Sequence, residues 1–381
     1  MSIQPIKNTN CTLSSQELKR YSRHLSLPEI GVNGQEKLKN SSVLCIGCGG
    51  LGSPLLVYLA AAGIGRIGII DPDLVEESNL QRQIIHKTES IGKAKVNSAR
   101  SSIKALNPFC SVETFQACLT KSNALEIIKQ FDIICDCSDN FPSRYLINDS
   151  CVILEKPHIY GAISKFEGQA SVFNIDQDSP NFRDLVPTPP PMNLLPSCSE
   201  AGVMGILPGI IGIIQATETI KIITGIGTSL SGRLLVFNAL DMKFKELNLK
   251  KESNREKIKN LIDYETFCSE KMPDFKAINI SPKKLNDLME KDPENTILLD
   301  VRNEEEYLIN SIPGSILIPL VNIQNGDAIK RIEELSKNKI LYIHCKTGQR
   351  SLEAIYILQK YGIKAINIEG GINSWNQIKY L

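Results

Sequence analysis

The stretch Cys345-Lys346-Thr347-Gly348-Gln349-Arg350 has the residue types best suited to covalent chemistry. It follows the strand-type run Ile340-Leu341-Tyr342-Ile343-His344, and a helix is expected from about Ser351. A cysteine held there among backbone N–H groups, at a helix N-terminus and near cations, has a stabilised thiolate and is a nucleophile at neutral pH. Four residues separate Cys345 from Arg350. A cysteine phosphatase needs a roomier loop to seat a tetrahedral phosphate, so this loop suits one extra sulfur atom. The bland alternative is an inert buried thiol.

A second chemical stretch lies far upstream. The apolar run Val43-Leu44-Cys45-Ile46 leads into Gly47-Cys48-Gly49-Gly50-Leu51-Gly52, and residues 53–62 read as a helix. Such glycines let the backbone turn tightly and approach a phosphate, whose charge then meets free N–H groups and the positive end of the helix dipole. A second strand over residues 66–70 ends on Asp71, the acidic position that grips a ribose hydroxyl in units of this kind. A bound nucleotide is therefore expected. The glycine pattern alone fits a dinucleotide dehydrogenase as well as an ATP-using enzyme.

Cations and acids follow. Ser78-Asn79-Leu80-Gln81-Arg82 and then Lys93 and Lys95, at the start of a helix running to about Leu106, suit a triphosphate. A strand over residues 131–136 ends on Cys137-Ser138-Asp139-Asn140, at the carboxyl end where open α/β sheets bind ligands. Asp139 either carries magnesium or caps the helix that begins near Pro142. Cys198 sits in Pro196-Ser197-Cys198-Ser199-Glu200, delivered by a proline-rich segment that cannot form a regular element. It is either a reactive loop residue or a small apolar one.

These residues need scaffolds to hold them, and 381 residues with 42% hydrophobic content are enough for two domains. The expectation is an α/β fold class: a Rossmann-like nucleotide-binding sheet domain over residues 1–250, a charged linker over 251–275, and a smaller α/β domain over 276–381. A capping box at Ser14-Ser15-Gln16-Glu17 opens a helix that carries Arg20-Tyr21-Ser22-Arg23-His24 up to Pro28. Arg23 is a candidate only through its position before the nucleotide unit. Lys and Arg (43) nearly cancel Asp and Glu (42), which argues against nucleic acid as a partner. The longest apolar run, residues 203–216, holds about a dozen apolar residues around Pro208, too few to span a bilayer, and its second half reads as a buried or dimer-facing helix. Eleven scattered cysteines suit a reducing compartment rather than a disulfide framework. Residues 1–11 show no targeting pattern.

Residues 14–249 resemble the MoeB/ThiF group of adenylyltransferases, relatives of the ubiquitin-activating enzymes. The resemblance is carried by Arg20-Tyr21-Ser22-Arg23, the glycine loop, Asp71-Pro72-Asp73, residues 78–83, Lys95, Asp136-Cys137-Ser138-Asp139-Asn140 and Cys198-Ser199-Glu200-Ala201-Gly202-Val203. Residues 276–381 resemble the rhodanese domain through Asp300-Val301-Arg302, Ile312-Pro313-Gly314, the Cys345 loop and Gly370-Gly371-Ile372 with Trp375. The fusion resembles cyanobacterial and plastid enzymes that activate molybdopterin synthase.

The resemblance implies ATP and magnesium as cofactors and adenylation of the C-terminal Gly-Gly carboxylate of a small ubiquitin-like sulfur carrier. Persulfide sulfur transfer and a persulfide donor follow from it. It also implies that Gly50 and Asp71 seat the nucleotide, that Ser78, Asn79, Leu80, Gln81, Arg82 and Lys95 clamp the phosphates, and that Asp139 holds magnesium with Asn140 beside it. Cys345 and Cys198 are the implied sulfur residues, and Arg23 would reach in from a second subunit of a homodimer. A nicotinamide oxidoreductase or a non-catalytic carrier-binding scaffold remain the competing readings.

Two departures from the pattern stand out. Asn181-Phe182-Arg183-Asp184 and Ser253-Asn254-Arg255-Glu256 occupy the places of the bacterial zinc-binding cysteine pairs, so no zinc site is expected. Cys45-Ile46-Gly47-Cys48 is badly placed to chelate or to cycle redox. Asn310-Ser311 replaces the Gly-His that rhodaneses often carry, and reads as structural drift. Richness in Ile, Lys and Asn favours the plastid stroma over the cytoplasm.

Overall fold

A computed structural model describes residues 12–189, 202–252, 257–268 and 277–378. Two compact units emerge, Met1–Glu270 and Lys271–Leu381. The first is built on eight strands: β1 (Ser42–Ile46), β2 (Arg66–Ile70), β3 (Ser111–Phe115), β4 (Ile133–Asp136), β5 (His158–Ser164), β6 (Glu167–Phe173), β7 (Arg233–Asn238) and β8 (Lys243–Asn248). Their order is β3-β2-β1-β4-β5-β6-β7-β8, parallel through β5 and antiparallel beyond. The chain leaves β1 towards β2 on one side and reaches β4 on the other. The gap between β1 and β4 is therefore the crevice where such sheets bind ligands.

Every residue of β1 is buried, which explains why the strand reads as an unbroken apolar run rather than an alternating one. Val43 and Cys45 enter one core with Leu55, Leu56 and Leu59 of the helix Gly52–Ala62, while Leu44 and Ile46 enter the opposite core with Tyr145 and Leu146. The helix Leu207–Thr224 is longer than the apolar pattern predicts. It passes the length and composition test for a membrane span, yet 61% of that window is buried inside this domain. Leu207, Ile211 and Ile222 pack into the first core.

Three expectations about elements change. The N-terminal helix is interrupted at Tyr21, splitting into Ser15–Arg20 and Ser22–Leu25. Tyr21 turns inward, and its hydroxyl accepts from Asn107 Nδ2 at 2.8 Å. Strands β3, β5 and β6 are additional to those read from the pattern. The proposed linker also does not run from 251 to 275 as a separate segment: Leu261, Tyr264 and Cys268 are buried in the second core of the first unit. The helix Tyr264–Cys268 belongs to that unit because the Tyr264 hydroxyl donates to Asp149 Oδ2 at 2.7 Å.

At Asn181, one of the two places where a zinc pair would be expected, the chain forms the short helix Phe182–Leu185, capped by Asn181. Arg183 makes a bidentate bond to Asp149, at 2.9 and 2.8 Å, and its guanidinium lies over the rings of Tyr145 and Phe267. Tyr145 in turn meets Phe182 and Phe267 edge to face. Aromatic and ionic contacts thus hold this short helix against Tyr145, Asp149 and Phe267. Residues 253–256, the other place, lie outside the described residues.

The second unit has five strands, β9 (Ile278–Ile280), β10 (Thr296–Asp300), β11 (Ile316–Leu317), β12 (Ile340–His344) and β13 (Ile366–Ile368), all parallel in the order β11-β10-β12-β13-β9. β12 is the central strand, and the Cys345 loop leaves its carboxyl end for the helix Gln349–Lys360.

Candidate functional site

The glycine loop is shaped by what lies behind it. Gly47 adopts φ +95°, and a Cβ there would sit 2.7 Å from the Cys137 carbonyl oxygen, so only glycine fits between the ends of β1 and β4. The Asp71 carboxylate accepts the Cys48 N–H at 2.7 Å and the Asp73 N–H at 2.9 Å, which ties the loop to the end of β2. Burial pushes the Asp71 carboxyl up, against the pull of those two N–H groups and of Lys95. His86 closes the back: its Nε2 lies 3.0 Å from the Cys48 carbonyl and its Nδ1 3.0 Å from the Ser98 hydroxyl. Burial lowers the pKa of His86, so the ring is held neutral.

This bracing leaves the N–H groups of Gly49, Gly50 and Leu51 without acceptors among the described residues. They lead into the helix Gly52–Ala62, and this is the arrangement that receives a phosphate. A Cβ on Gly50 would lie 2.9 Å from Pro208 and 3.8 Å from Arg82 Cγ, which puts Arg82 beside the loop. Lys95, at the first position of the helix Lys95–Leu106, is buried along its stem and pairs with exposed Asp73 at 2.9 Å. Asn79 Oδ1 accepts the Glu76 N–H and fixes the short turn Glu77–Asn79 that carries Ser78. Arg82 donates to the Ser78 carbonyl at 3.1 Å and is half-buried. Gln81 packs against Gly205, and Leu80 caps the end of the turn, its N–H donating to the Glu77 carbonyl.

At the end of β4, Asp136 accepts from the Ser138 N–H and hydroxyl at 2.9 and 2.6 Å. Asp139 and Asn140 are exposed beyond it. The helix Phe141–Ile153 is capped by Asn140, whose Oδ1 accepts the Ser143 N–H at 2.9 Å. Asp139 is therefore not the capping residue, and among the described residues its carboxylate meets only the Asn140 amide, at 3.3 Å.

In the second unit, Cys345 is buried, and the Gly348 N–H donates to its sulfur at 3.1 Å. Gly348 has φ +106°, the left-handed conformation that turns this N–H inward. The Ser351 hydroxyl stands 3.6 Å from the same sulfur. Behind the loop, the Ile372 and Asn373 N–H groups donate to the carbonyls of Cys345 and Lys346. A Cβ on Gly371 would overlap the Cys345 carbonyl. Arg350 does not point into the loop as a free cation: it forms a bidentate pair with Glu306 at 2.7 and 2.9 Å. Burial works to raise the Glu306 carboxyl, but the bonds from Arg350 and the Asn303 N–H outweigh it and hold the group low. Under the sheet, Arg302 is bidentate to Asp300 and donates to the Asn310 carbonyl at 2.6 Å. The backbone of Asn310 thus has a structural task, whatever its side chain.

One half of the chain presents unpaired N–H groups at a glycine loop, and the other holds a thiol against the Gly348 N–H. The sequence matches the ThiF family over residues 21–258 and the rhodanese-like domain over residues 281–378. The chain belongs to the ThiF family.

Whole-length relatives share both parts. The probable adenylyltransferase/sulfurtransferase MoeZ of Mycobacterium tuberculosis is 45% identical over 384 residues, covering 98% of this chain and 96% of the relative. The probable molybdopterin-synthase adenylyltransferase of Porphyra purpurea is 42% identical, covering 96% and 95%. The adenylyltransferase and sulfurtransferase MOCS3 of Arabidopsis thaliana is 40% identical, covering 95% and 84%. Among solved structures, E. coli MccB superposes with a TM-score of 0.58 at 21% identity, covering 68% of this chain and 77% of that one, a likeness of fold. This ThiF-family chain is an adenylyltransferase with a sulfurtransferase domain.

Within the ThiF unit, the sequence-derived residues Gly50, Asp71, Ser78, Asn79, Gln81, Arg82 and Lys95 gather around the ends of β1 and β2. Asp139 and Asn140 lie across the crevice, after β4. Arg23 is exposed on the short helix Ser22–Leu25. Cys198 lies outside the described residues. Cys45 and Cys48 are fully buried, with the Cys45 sulfur 3.8 Å from that of Cys137. Three supporting residues escaped the sequence reading: His86, His344 and Glu306. The chain has only four histidines, and two of them adjoin the chemical stretches, which was the available signal.

Proposed function

We propose that the protein uses ATP to adenylate the C-terminal Gly-Gly carboxylate of a small ubiquitin-like sulfur carrier, the small subunit of molybdopterin synthase, and then sulfurates it for molybdenum cofactor biosynthesis. The observation that carries this reading is the pairing, in one chain, of a phosphate-shaped loop flanked by Arg82 and Lys95 with a thiol loop sized for sulfur. The name of the Porphyra purpurea relative supports the choice of carrier.

In this reading a carboxylate oxygen of the carrier attacks the α-phosphorus of ATP, the bond to the bridging oxygen breaks, and pyrophosphate leaves. The free N–H groups of residues 49–51, with Arg82 and Lys95, hold the phosphates and offset the charge that moves onto the leaving group. Magnesium would lower the negative charge of the triphosphate. The exposed, weakly engaged carboxylate of Asp139 is an oxygen ligand suited to it. Arg23, which faces solvent in the single chain, is assigned to the site of a second copy in a homodimer.

The outer sulfur of a persulfide on Cys345 then attacks the acyl carbon, AMP leaves, and an acyl disulfide forms. Cys198 is assigned to the carrier tail, where it takes the acyl group or forms a transient acyl disulfide, and attack by a second thiol on the Cys345 sulfur releases the thiocarboxylate. A cellular dithiol reduces the resulting disulfide. We place this activity in the plastid stroma on compositional grounds and expect it to need no zinc. Stoichiometric zinc that leaves only on unfolding would overturn that last point.

The decisive experiment is ATP–pyrophosphate exchange with a panel of Gly-Gly-ended carriers. Exchange should depend on the molybdopterin synthase small subunit. Exchange only with a thiamin-pathway or tRNA-thiolation carrier would keep the chemistry and reassign the pathway. No exchange with any carrier would remove the adenylation reading.

A further inference from the structure

Arg144, in the first turn of the helix Phe141–Ile153, is 9% exposed. Its Nε has no hydrogen-bond partner, and no carboxylate among the described residues pairs with it. Its one hydrogen bond among the described residues is a long one, 3.4 Å from Nη2 to the Ser138 carbonyl. The aromatic faces of Phe141 and Tyr160 stand 5.4 and 5.8 Å from the guanidinium carbon. Asp136, at the same strand end, is engaged by Ser138 and lies 3.4 Å from His158. A guanidinium this buried without an anion is costly, because it keeps its charge and has lost most of its water. Such a group is retained where an anion arrives.

Position identifies the anion. Ile46, the last residue before the phosphate loop, is in register with Asp136, which is in register with Tyr160. Arg144 therefore stands level with the phosphate loop, but on the β4–β5 side of the crevice. The phosphates already have their donors on the β1–β2 side, in the free N–H groups, Arg82 and Lys95.

We infer that Arg144 is a substrate-binding residue that receives the C-terminal carboxylate of the protein to be adenylated and presents it to the α-phosphate. The inference rests on the adenylation reading above and names the group that orients its substrate.

The test is steady-state ATP–pyrophosphate exchange with the full-length enzyme, varying carrier and ATP separately. Arg144→Met should raise the KM for the carrier roughly 10- to 100-fold, the usual weight of a charged hydrogen-bonded pair, and leave the KM for ATP within about twofold. Arg144→Lys should recover part of the loss, since it restores the charge without the fork. A carrier ending in a primary amide, used as a competitive inhibitor, should bind wild type and Arg144→Met equally weakly.

A raised KM for ATP with an unchanged KM for the carrier would assign the guanidinium to a phosphate and overturn the inference. So would unchanged kinetics, or a fall in kcat together with thermal stability that lysine does not relieve. These outcomes leave wild-type exchange intact. Loss of carrier-dependent exchange in the wild type itself would overturn the function and this inference together.

Discussion

The loop after β1 and the loop after β12 are both strand-to-helix turns at the carboxyl end of an interior parallel strand, and each is braced from behind by a histidine. A ring nitrogen of His86 lies 3.0 Å from the Cys48 carbonyl, and one of His344 lies 3.3 Å from the Cys345 carbonyl. The turns differ in where the cysteine points. Cys48 is fully buried in the apolar core, and burial, reinforced by the Asp71 charge, holds its thiol well above the usual range. That leaves the loop lined by backbone N–H groups alone. Cys345 instead turns its sulfur into its own loop, where the Gly348 N–H meets it. Similar backbones thus present either bare N–H groups or a cysteine sulfur according to the direction of one side chain.

The largest expected effect tests the sulfur side. Cys345→Ala should abolish thiosulfate:cyanide sulfurtransfer and carrier thiocarboxylation while leaving pyrophosphate exchange untouched. Continued thiocarboxylation with persulfide donors, in the absence of free sulfide, would break the contrast between the loops.

On the phosphate side, Lys95→Ala and Arg82→Ala should each lower carrier adenylation by about 10²–10³, the usual effect of deleting one preorganised charge, with sulfurtransfer unchanged. Near-wild-type exchange in both variants, with the fold intact by circular dichroism, would mean that the cradle does not hold ATP.

Cys48→Ala sharpens the comparison from the other direction. The lost thiol leaves only a small cavity, so a cost of about 1 kcal/mol in chemical denaturation and exchange within about twofold of wild type are expected. Loss of exchange in a stable Cys48→Ala protein would show that this thiol works in the loop after all.

The smallest effect is on pH. Burial lowers the pKa of both His86 and His344, the latter despite the nearby Asp300 carboxylate. A lowered folded-state pKa means that the unfolded chain binds the proton first. Stability should be complete above the unfolded value near 6.5 and should fall as pH drops from there, by on the order of 1 kcal/mol per pH unit per histidine. Replacing either histidine with glutamine should flatten the slope for its own unit in thermal unfolding. An unchanged slope in both variants would place the titration elsewhere.

Much of both sites was legible because their chemistry is local in sequence. The glycine turn needs glycine where a Cβ would strike the Cys137 carbonyl, and the sulfur loop needs a positive φ at Gly348; such demands leave marks within a few residues. Strands β5 and β6 were not legible in the same way. Their residues are set by pairing with each other and with β4 and β7, whose partners are distant in sequence. The linker was misplaced for a related reason. Residues 251–268 look charged, and only Asp149, more than a hundred residues upstream, explains why Tyr264 is drawn into the core.

By itself, the sequence determined two α/β units, the two turns and the ionisable groups beside them, since strand periodicity, glycine spacing and helix starts are short-range properties. Tertiary structure decided how those groups are used. It turned Cys48 into the core and Cys345 into its loop, paired Arg350 with Glu306, and left Arg144 buried with no counterion among the described residues. The physical reason is that burial and charge pairing depend on which segments the folded sheet brings together, and a list of residue types does not contain that information.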